Sequence, residues 1–220
     1  MTLTIYGVAR SRTSRVLWTA GELGLSYEHI PVIQARRLAD PDAPDAPVNT
    51  RSPAFLKVNP AGQIPTIDDD GLILTESLAI PLYLARKHGG PFAPNGLAEE
   101  ARATNWALFA ATQLEPHTIV IVFHRLDLPE DQRNEAAVAA AMRALKPRLR
   151  ELEQVLAAGG GYLLGDRFTV ADLLVAEVLR YAQPAPELFE ATPAVTDWLT
   201  RCQSRPAYKA MQALRAAEPA

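Results

Sequence analysis

The stretch from Asn59 to Ile80, NPAGQIPTIDDDGLILTESLAI, constrains the fold more than any other part of the chain. Two short apolar runs, Ile64 to Ile67 and Leu72 to Leu74, flank Asp68-Asp69-Asp70-Gly71, and Gly-containing turn chemistry between such runs predicts an antiparallel hairpin. Thr75-Glu76-Ser77 follows directly and leads into Leu78, Ala79, Ile80, Leu82, Tyr83 and Leu84, so polar oxygens stand at the start of an apolar helix. A helix start of this kind offers free backbone N–H groups and the positive end of the helix dipole to a carboxylate.

Upstream, Leu3 to Val8 predicts a strand, and a polar cluster from Arg10 to Arg15 predicts a turn. Val16, Leu17, Ala20 and Leu23 then recur at helical spacing, with Gly24 placed to end the helix. Tyr27 to Ile33 supplies a second strand, parallel to the first through a right-handed crossover. Residues 34–55 hold four prolines and little periodicity, which predicts an irregular flap rather than one regular helix. Gly and Pro concentrate between His88 and Gly96, a linker composition. Beyond it the pattern is helical throughout: about Ala98 to Leu126, Arg133 to Leu156, Val170 to Tyr181, Pro193 to Cys202 and Pro206 to Ala217, with Pro116 and Pro147 expected to bend two of these helices. Residues 1–88 thus read as one domain, 89–96 as a linker and 97–220 as an all-helical domain. Within the latter, Thr169 and Asp172 form a capping box, with Phe168 placed to staple onto Leu173.

The composition narrows the function classes. A net charge of -3 and a pI near 5.8 leave no electrostatic footprint for nucleic acid or an anionic membrane, so a small ligand is the expected partner. No basic-then-apolar leader opens the sequence, and its longest apolar runs, Ile119 to Phe123 and Ala136 to Met142, are too short to span a bilayer. A cytoplasmic protein is expected. Cys202 is the sole cysteine, which rules out an internal disulfide, and its place in a late helix predicts a buried thiol.

The ordered strings N-P-x-G-Q-I-P and L-T-E-S-x-A-I resemble the glutathione-binding half of the cytosolic glutathione S-transferases, and Gly165 to Asp172 resembles the G-x-x-x-T-x-A-D capping motif of their helical half. The resemblance runs nearly the full length, and it implies an α/β plus all-α fold: a thioredoxin-like βαβ-ββα domain followed by a helical bundle. It further implies a cis peptide bond before Pro65, glutathione as co-substrate, and a homodimer.

Glutathione chemistry needs a thiolate at neutral pH, while a free thiol has a pKa of about 8.5. A hydroxyl donating to sulfur, helped by a helix end and nearby Arg, lowers that value. The family keeps its Tyr, Ser or Cys for this task in the turn after the first strand. Here Ser11 stands four residues before Arg15, as in the theta-like serine classes, and is the first choice. Ser14 is the second, although as the residue just ahead of the helix it would serve equally as an N-cap. No Tyr or Cys occupies the turn, and R-S-R-T-S-R departs from the S-S-C-S-x-R of the zeta-type isomerases, so a bacterial serine-type, theta-like member is expected.

By the same resemblance Ser77 holds the γ-glutamyl carboxylate and Glu76 the γ-glutamyl ammonium. Ile64 pairs its backbone with the cysteinyl residue, and Gln63 and Arg51 reach the glycyl carboxylate. Trp106, Phe109, His117 and Phe123 give the first long helix an apolar pocket for the electrophile. His117 and His124 are seven apart and share a face, but no third ligand accompanies them, so no metal is expected. Trp18 and Trp198 are expected in helical cores. The function implied is addition of the glutathione thiolate to a small hydrophobic electrophile, with peroxide or disulfide reduction available from the same thiolate. A non-catalytic binding protein on the same fold is the alternative.

Overall fold

The computed structural model describes residues 2–218 and divides into two units, one formed by residues up to His88 together with the segment from Pro206, the other by Gly89–Arg205. In the first unit, β1 (Leu3–Tyr6), α1 (Thr13–Glu22), β2 (Glu28–Ile30), α2 (Pro53–Val58), β3 (Thr66–Asp69), β4 (Leu72–Leu74) and α3 (Ala79–His88) follow in order. The sheet runs β2-β1-β3-β4, with β1 parallel to β2 and antiparallel to β3, and β3 antiparallel to β4. This is the thioredoxin-like arrangement, and Ile5, Ile67, Val16, Trp18, Ile80 and Leu84 fill its core.

The hairpin forms where its turn chemistry places it. Asp70 and Gly71 both take positive φ, +52° and +91°, as a two-residue hairpin turn of the primed type demands, and Gly71 N–H donates to Asp68 Oδ1 at 2.8 Å. Both parallel strands are shorter than expected, because pairing in β1 ends at Tyr6 opposite Ile30 and Thr66. The flap is irregular but organised: buried Asn49 donates from Nδ2 to the carbonyls of Pro41 and Pro47 and accepts from Arg51 N–H. Asn49 thereby satisfies backbone groups that four prolines leave without a regular partner.

The last helix, α9 (Pro206–Ala217), departs from the domain division read from the sequence. It packs on α1 in the first unit, with Trp18 and Tyr208 edge-to-face at 4.9 Å and Ala207 against Gly21. Every residue of α1 from Thr13 to Ala20 is buried, so this helix needs cover on more than its sheet side, and α9 supplies it with buried Tyr208 and Met211. Helical periodicity reports an apolar face but not which core receives it.

The second unit holds α4 (Gly96–Phe109), α5 (Glu115–Val122), α6 (Glu135–Ala158), α7 (Val170–Leu179) and α8 (Pro193–Ser204). A π-helical turn, Ala110–Leu114, joins α4 to α5 directly ahead of Pro116. Pro116 cannot donate and its ring crowds the preceding turn, and the wider π turn absorbs both effects without ending the helix. The continuous helix 96–127 is long and apolar enough to cross a membrane by length and composition alone. One face of it is buried, with Ala103, Trp106, Ala110, Leu114 and Ile121 inside, and it packs on α6 and α7. Every residue of α7 is buried. Its capping box is present, and Asp172 also accepts from Leu163 N–H at 2.8 Å and from Trp198 Nε1 at 2.9 Å. Cys202 is buried in α8.

Candidate functional site

The turn between β1 and α1 carries the first cluster. Val8 carbonyl accepts the N–H of Ser11 at 3.1 Å and its hydroxyl at 2.7 Å. Ser11 Oγ accepts in turn from Thr13 N–H at 3.1 Å and lies 2.9 Å from Thr13 Oγ1. A hydroxyl has one proton and two lone pairs. With the proton on Val8, the Thr13 hydroxyl must be the donor of that pair, and Ser11 is fully satisfied within the turn. Ser11 is also the oxygen that serves the first helical N–H. Because α1 begins at Thr13, Ser14 lies inside its first turn, fully buried, rather than just ahead of it. Arg12, not Ser14, occupies the N-cap position, without a side-chain cap bond, and Ser11, one residue further out, takes the Thr13 N–H.

Gly7 lets this turn close on the rest of the site. A Cβ at Gly7 would lie 2.2 Å from Thr13 Oγ1 and 3.1 Å from Ile64 Cβ, and its φ is +129°. Only a glycine permits that approach. Gly7 thus stands close to both Thr13 and Ile64, and the Ile64-Pro65 peptide bond is cis. Buried Asn59 holds that loop in shape: its Nδ2 donates to Gln63 carbonyl at 2.9 Å and Thr66 Oγ1 at 3.1 Å, while its Oδ1 accepts from Ala61 N–H. Ile64 lies beyond the last paired residue of β3, at the end of the sheet. The Gln63 side chain is exposed.

The start of α3 carries the second cluster. Ile80 N–H bonds Glu76 carbonyl at 2.9 Å, so the helical ladder begins at Glu76. Ser77 is buried and the Glu76 side chain is exposed. Arg15, fully buried in α1, donates from Nη1 to Ser77 Oγ at 2.8 Å and so links this helix start to the first turn. Because Ser77 Oγ is the acceptor there, its own proton is available to a ligand oxygen. Further along α3, Lys87 Nζ and Tyr83 Oη reach Asp69 Oδ2 at 2.6 Å and 2.8 Å and fasten the helix to β3. Burial works to raise the Asp69 pKa, but the bonds from Lys87 and Tyr83 outweigh it and hold the carboxyl below its ordinary range. Burial and the Asp69 bond raise Tyr83. Arg51 stands apart from both clusters, exposed and paired with Asp42 at 3.7 Å.

In the helical unit, Trp106 is buried and meets Phe109 edge-on at 5.3 Å, while Phe109, His117 and Phe123 are partly exposed. His124 Nδ1 accepts from Asn134 N–H at 3.2 Å, which ties the helix end to the start of α6. Trp18 and Trp198 are both fully buried in their units.

The family profile for the glutathione S-transferase N-terminal domain matches residues 5–92, and that for the C-terminal domain matches residues 114–206. The chain belongs to the glutathione S-transferase family. It is 32% identical to glutathione S-transferase 4 of Zea mays over 92% of this chain and 88% of that protein. The crystal structure of glutathione transferase F7 from Populus trichocarpa superposes with a TM-score of 0.81 at 30% identity, covering 97% of this chain and 99% of that one. A theta class glutathione S-transferase of Xanthomonas axonopodis pv. citri, solved with glutathione bound, gives a TM-score of 0.79 at 29% identity over 94% and 95% of the two chains. The transferases of this family are enzymes that use glutathione as co-substrate, and the fold of both units is theirs.

Three site features escape a reading of the sequence alone. Arg15 is set apart in the sequence only by its spacing from Ser11, whereas its bond to Ser77 spans 62 residues. Thr13 sits between two serines without any sign that it buttresses Ser11. Arg215 and Glu218, at the far end of the chain, reach the first turn by contacts over more than 200 residues.

Proposed function

We propose that this transferase activates glutathione through Ser11 and adds the thiolate to a small hydrophobic electrophile. The Arg15–Ser77 bond carries the reading, because it joins the turn of Ser11 to the anion-binding start of α3. On this reading the γ-glutamyl carboxylate takes the free Ser77 proton above the buried Arg15 charge, and the ammonium pairs with exposed Glu76. The cysteinyl backbone lies along Ile64 at the sheet end. The glycyl carboxylate falls to Gln63, with Arg51 available once it leaves Asp42.

Ser11 turns its proton from Val8 to the sulfur when the thiolate forms, and Thr13 continues to donate to Ser11 Oγ. The exchange is favourable because a bond to a charged acceptor is about twice as strong as one between neutral groups. Ser14, buried one turn deeper, is the reserve donor. The electrophile is assigned to the surface of α4 and α5 around Phe109, His117 and Phe123, with Trp106 behind it. Peroxide and disulfide reduction draw on the same thiolate. Cytoplasmic location and a homodimer complete the reading. The dimer is checked by light scattering at micromolar protein, with a mass of twice 24.0 kDa expected and a single-chain mass opposing it.

The kinetic test is conjugation of glutathione to an activated aryl halide by wild type and Ser11→Ala. Removal of one donor to a developing anion costs about 10²–10³ in kcat. A fall of that size with little change in KM for glutathione supports the reading. An unchanged kcat transfers the role to Ser14 or to backbone N–H groups, and glutathione binding without turnover of any electrophile class favours a binding protein.

A further inference from the structure

The end of α9 grips the turn that precedes Ser11. Ala9 N–H donates to Glu218 Oε1 at 2.5 Å and Arg10 N–H donates to Glu218 Oε2 at 2.8 Å. Arg215 Nη1 donates to Ala9 carbonyl at 3.1 Å, and Arg10 Nε donates to Arg215 carbonyl at 3.1 Å. Ala9 and Arg10 are the two central residues of the turn that Ser11 N–H closes onto Val8 carbonyl. Ala9 is fully buried, so its N–H needs a partner inside the protein, and the carboxylate is that partner.

The link to Ser11 runs through one rigid unit. Val8 carbonyl and Ala9 N–H belong to the same peptide plane, so whatever fixes one fixes the other. Glu218 holds the N–H edge of that plane. The opposite edge is the carbonyl that holds both the N–H and the hydroxyl of Ser11. Because Tyr208 and Ala207 seat α9 against Trp18 and Gly21, the carboxylate arrives at a fixed height along α1.

We propose that Glu218 is a positioning residue for thiol activation, setting the Val8–Ala9 peptide and, through the Ser11 N–H bonded to Val8 carbonyl, the place from which the Ser11 hydroxyl reaches the sulfur. This rests on the reading of Ser11 as the thiol-activating residue. It separates cleanly from a plain charge effect. A carboxylate acting only through its charge disfavours a neighbouring thiolate, so its removal would lower the pKa of the bound thiol. A carboxylate acting through position raises that pKa when it is lost.

The test follows the ultraviolet absorbance of the thiolate against pH for glutathione bound to wild type, Glu218→Ala and Glu218→Gln. The amide resonances of Ala9 and Arg10 are recorded alongside to report the grip itself. Both amides are expected to shift in both variants, with the bound-thiol pKa rising by about one unit in Glu218→Ala, equal to about tenfold less thiolate at a pH below both values. Glu218→Gln, which keeps one acceptor oxygen, should fall between. KM for glutathione stays near wild type, since the Ser77 end is not touched, while the melting temperature of Glu218→Ala falls modestly because the buried Ala9 N–H loses its partner. A wild-type pKa that is depressed and either unchanged or lower still in Glu218→Ala overturns this inference and leaves Ser11 in place. A wild-type pKa at the free value overturns the reading of Ser11 and this inference with it.

Discussion

Arg15 Nη1 donates to Ser77 Oγ across 2.8 Å, a bond between two buried side chains that come from α1 and from the start of α3. With Ser77 Oγ accepting there, the proposed reading gives the Ser77 proton to the γ-glutamyl carboxylate, with the Arg15 guanidinium behind the hydroxyl. Ser77→Ala should therefore weaken glutathione binding by about 1.5–3 kcal/mol, a hydrogen bond to a charged group, which is about 10- to 150-fold in Kd. Calorimetric titration checks it. An unchanged Kd would remove Ser77 from the site.

Arg15→Lys is the companion experiment. A lysine keeps the charge but loses the planar set of donors, so the bond to Ser77 and its direction are not reproduced. Reduced glutathione affinity together with a lower melting temperature is expected, because Arg15 is fully buried within α1. Wild-type affinity in the folded variant would show that charge alone suffices.

On the proposed reading, Glu76→Gln addresses the ammonium end of the γ-glutamyl group. The Glu76 side chain is exposed, so its pairing with an ammonium is worth at most about 1 kcal/mol and is screened by salt. A loss of up to about fivefold in affinity at low ionic strength, shrinking as salt is added, is the expected result. A larger, salt-independent loss would point to a desolvated contact instead.

Much of this was legible in the residue order, for a physical reason. The hairpin, the capping box of Thr169 and Asp172, and the bounds of α9 all depend on bonds between residues a few positions apart, and local sequence encodes those. Arg15–Ser77, Gly7 beside Ile64, and Glu218 on Ala9 join residues brought together only by packing, and no local pattern marks them. The same limit explains α9: its amphipathic face was readable, but its partner α1 lies at the other end of the chain. Ser14 sits inside α1 for a smaller reason: the helix starts at Thr13, two residues earlier than the polar run suggests, with Ser11 Oγ taking the Thr13 N–H.

Asp172→Ala removes the acceptor for Leu163 N–H, Thr169 N–H and Trp198 Nε1 at once. Burial pushes the Asp172 carboxyl up while these donors oppose it, so the group's value lies in satisfying buried N–H groups. Loss of the cap and of several buried partners should destabilise by about 3 kcal/mol or more. A thermal or denaturant melt of the whole chain reads this directly, and a change within 1 kcal/mol would contradict it.

Acid stability of the first unit should depend on Asp69. Its folded-state pKa lies below its ordinary value of 3.8, so the folded state binds this proton less readily than the unfolded chain does. The stabilisation is complete above that value and is lost as the pH falls through the depressed one. Asp69→Asn should thus lower stability at neutral pH and flatten the acid limb of the stability curve. An unaltered acid limb would assign acid sensitivity to other carboxylates.

The central claim is that Ser11 lowers the pKa of the glutathione thiol, and the direct measurement is thiolate absorbance against pH for glutathione bound to wild type and to Ser11→Ala. A bound-thiol pKa well below the free value of about 8.5, returning toward it in the variant, is the expected result, with each unit worth about 1.4 kcal/mol. A depression that survives intact in Ser11→Ala would contradict the claim.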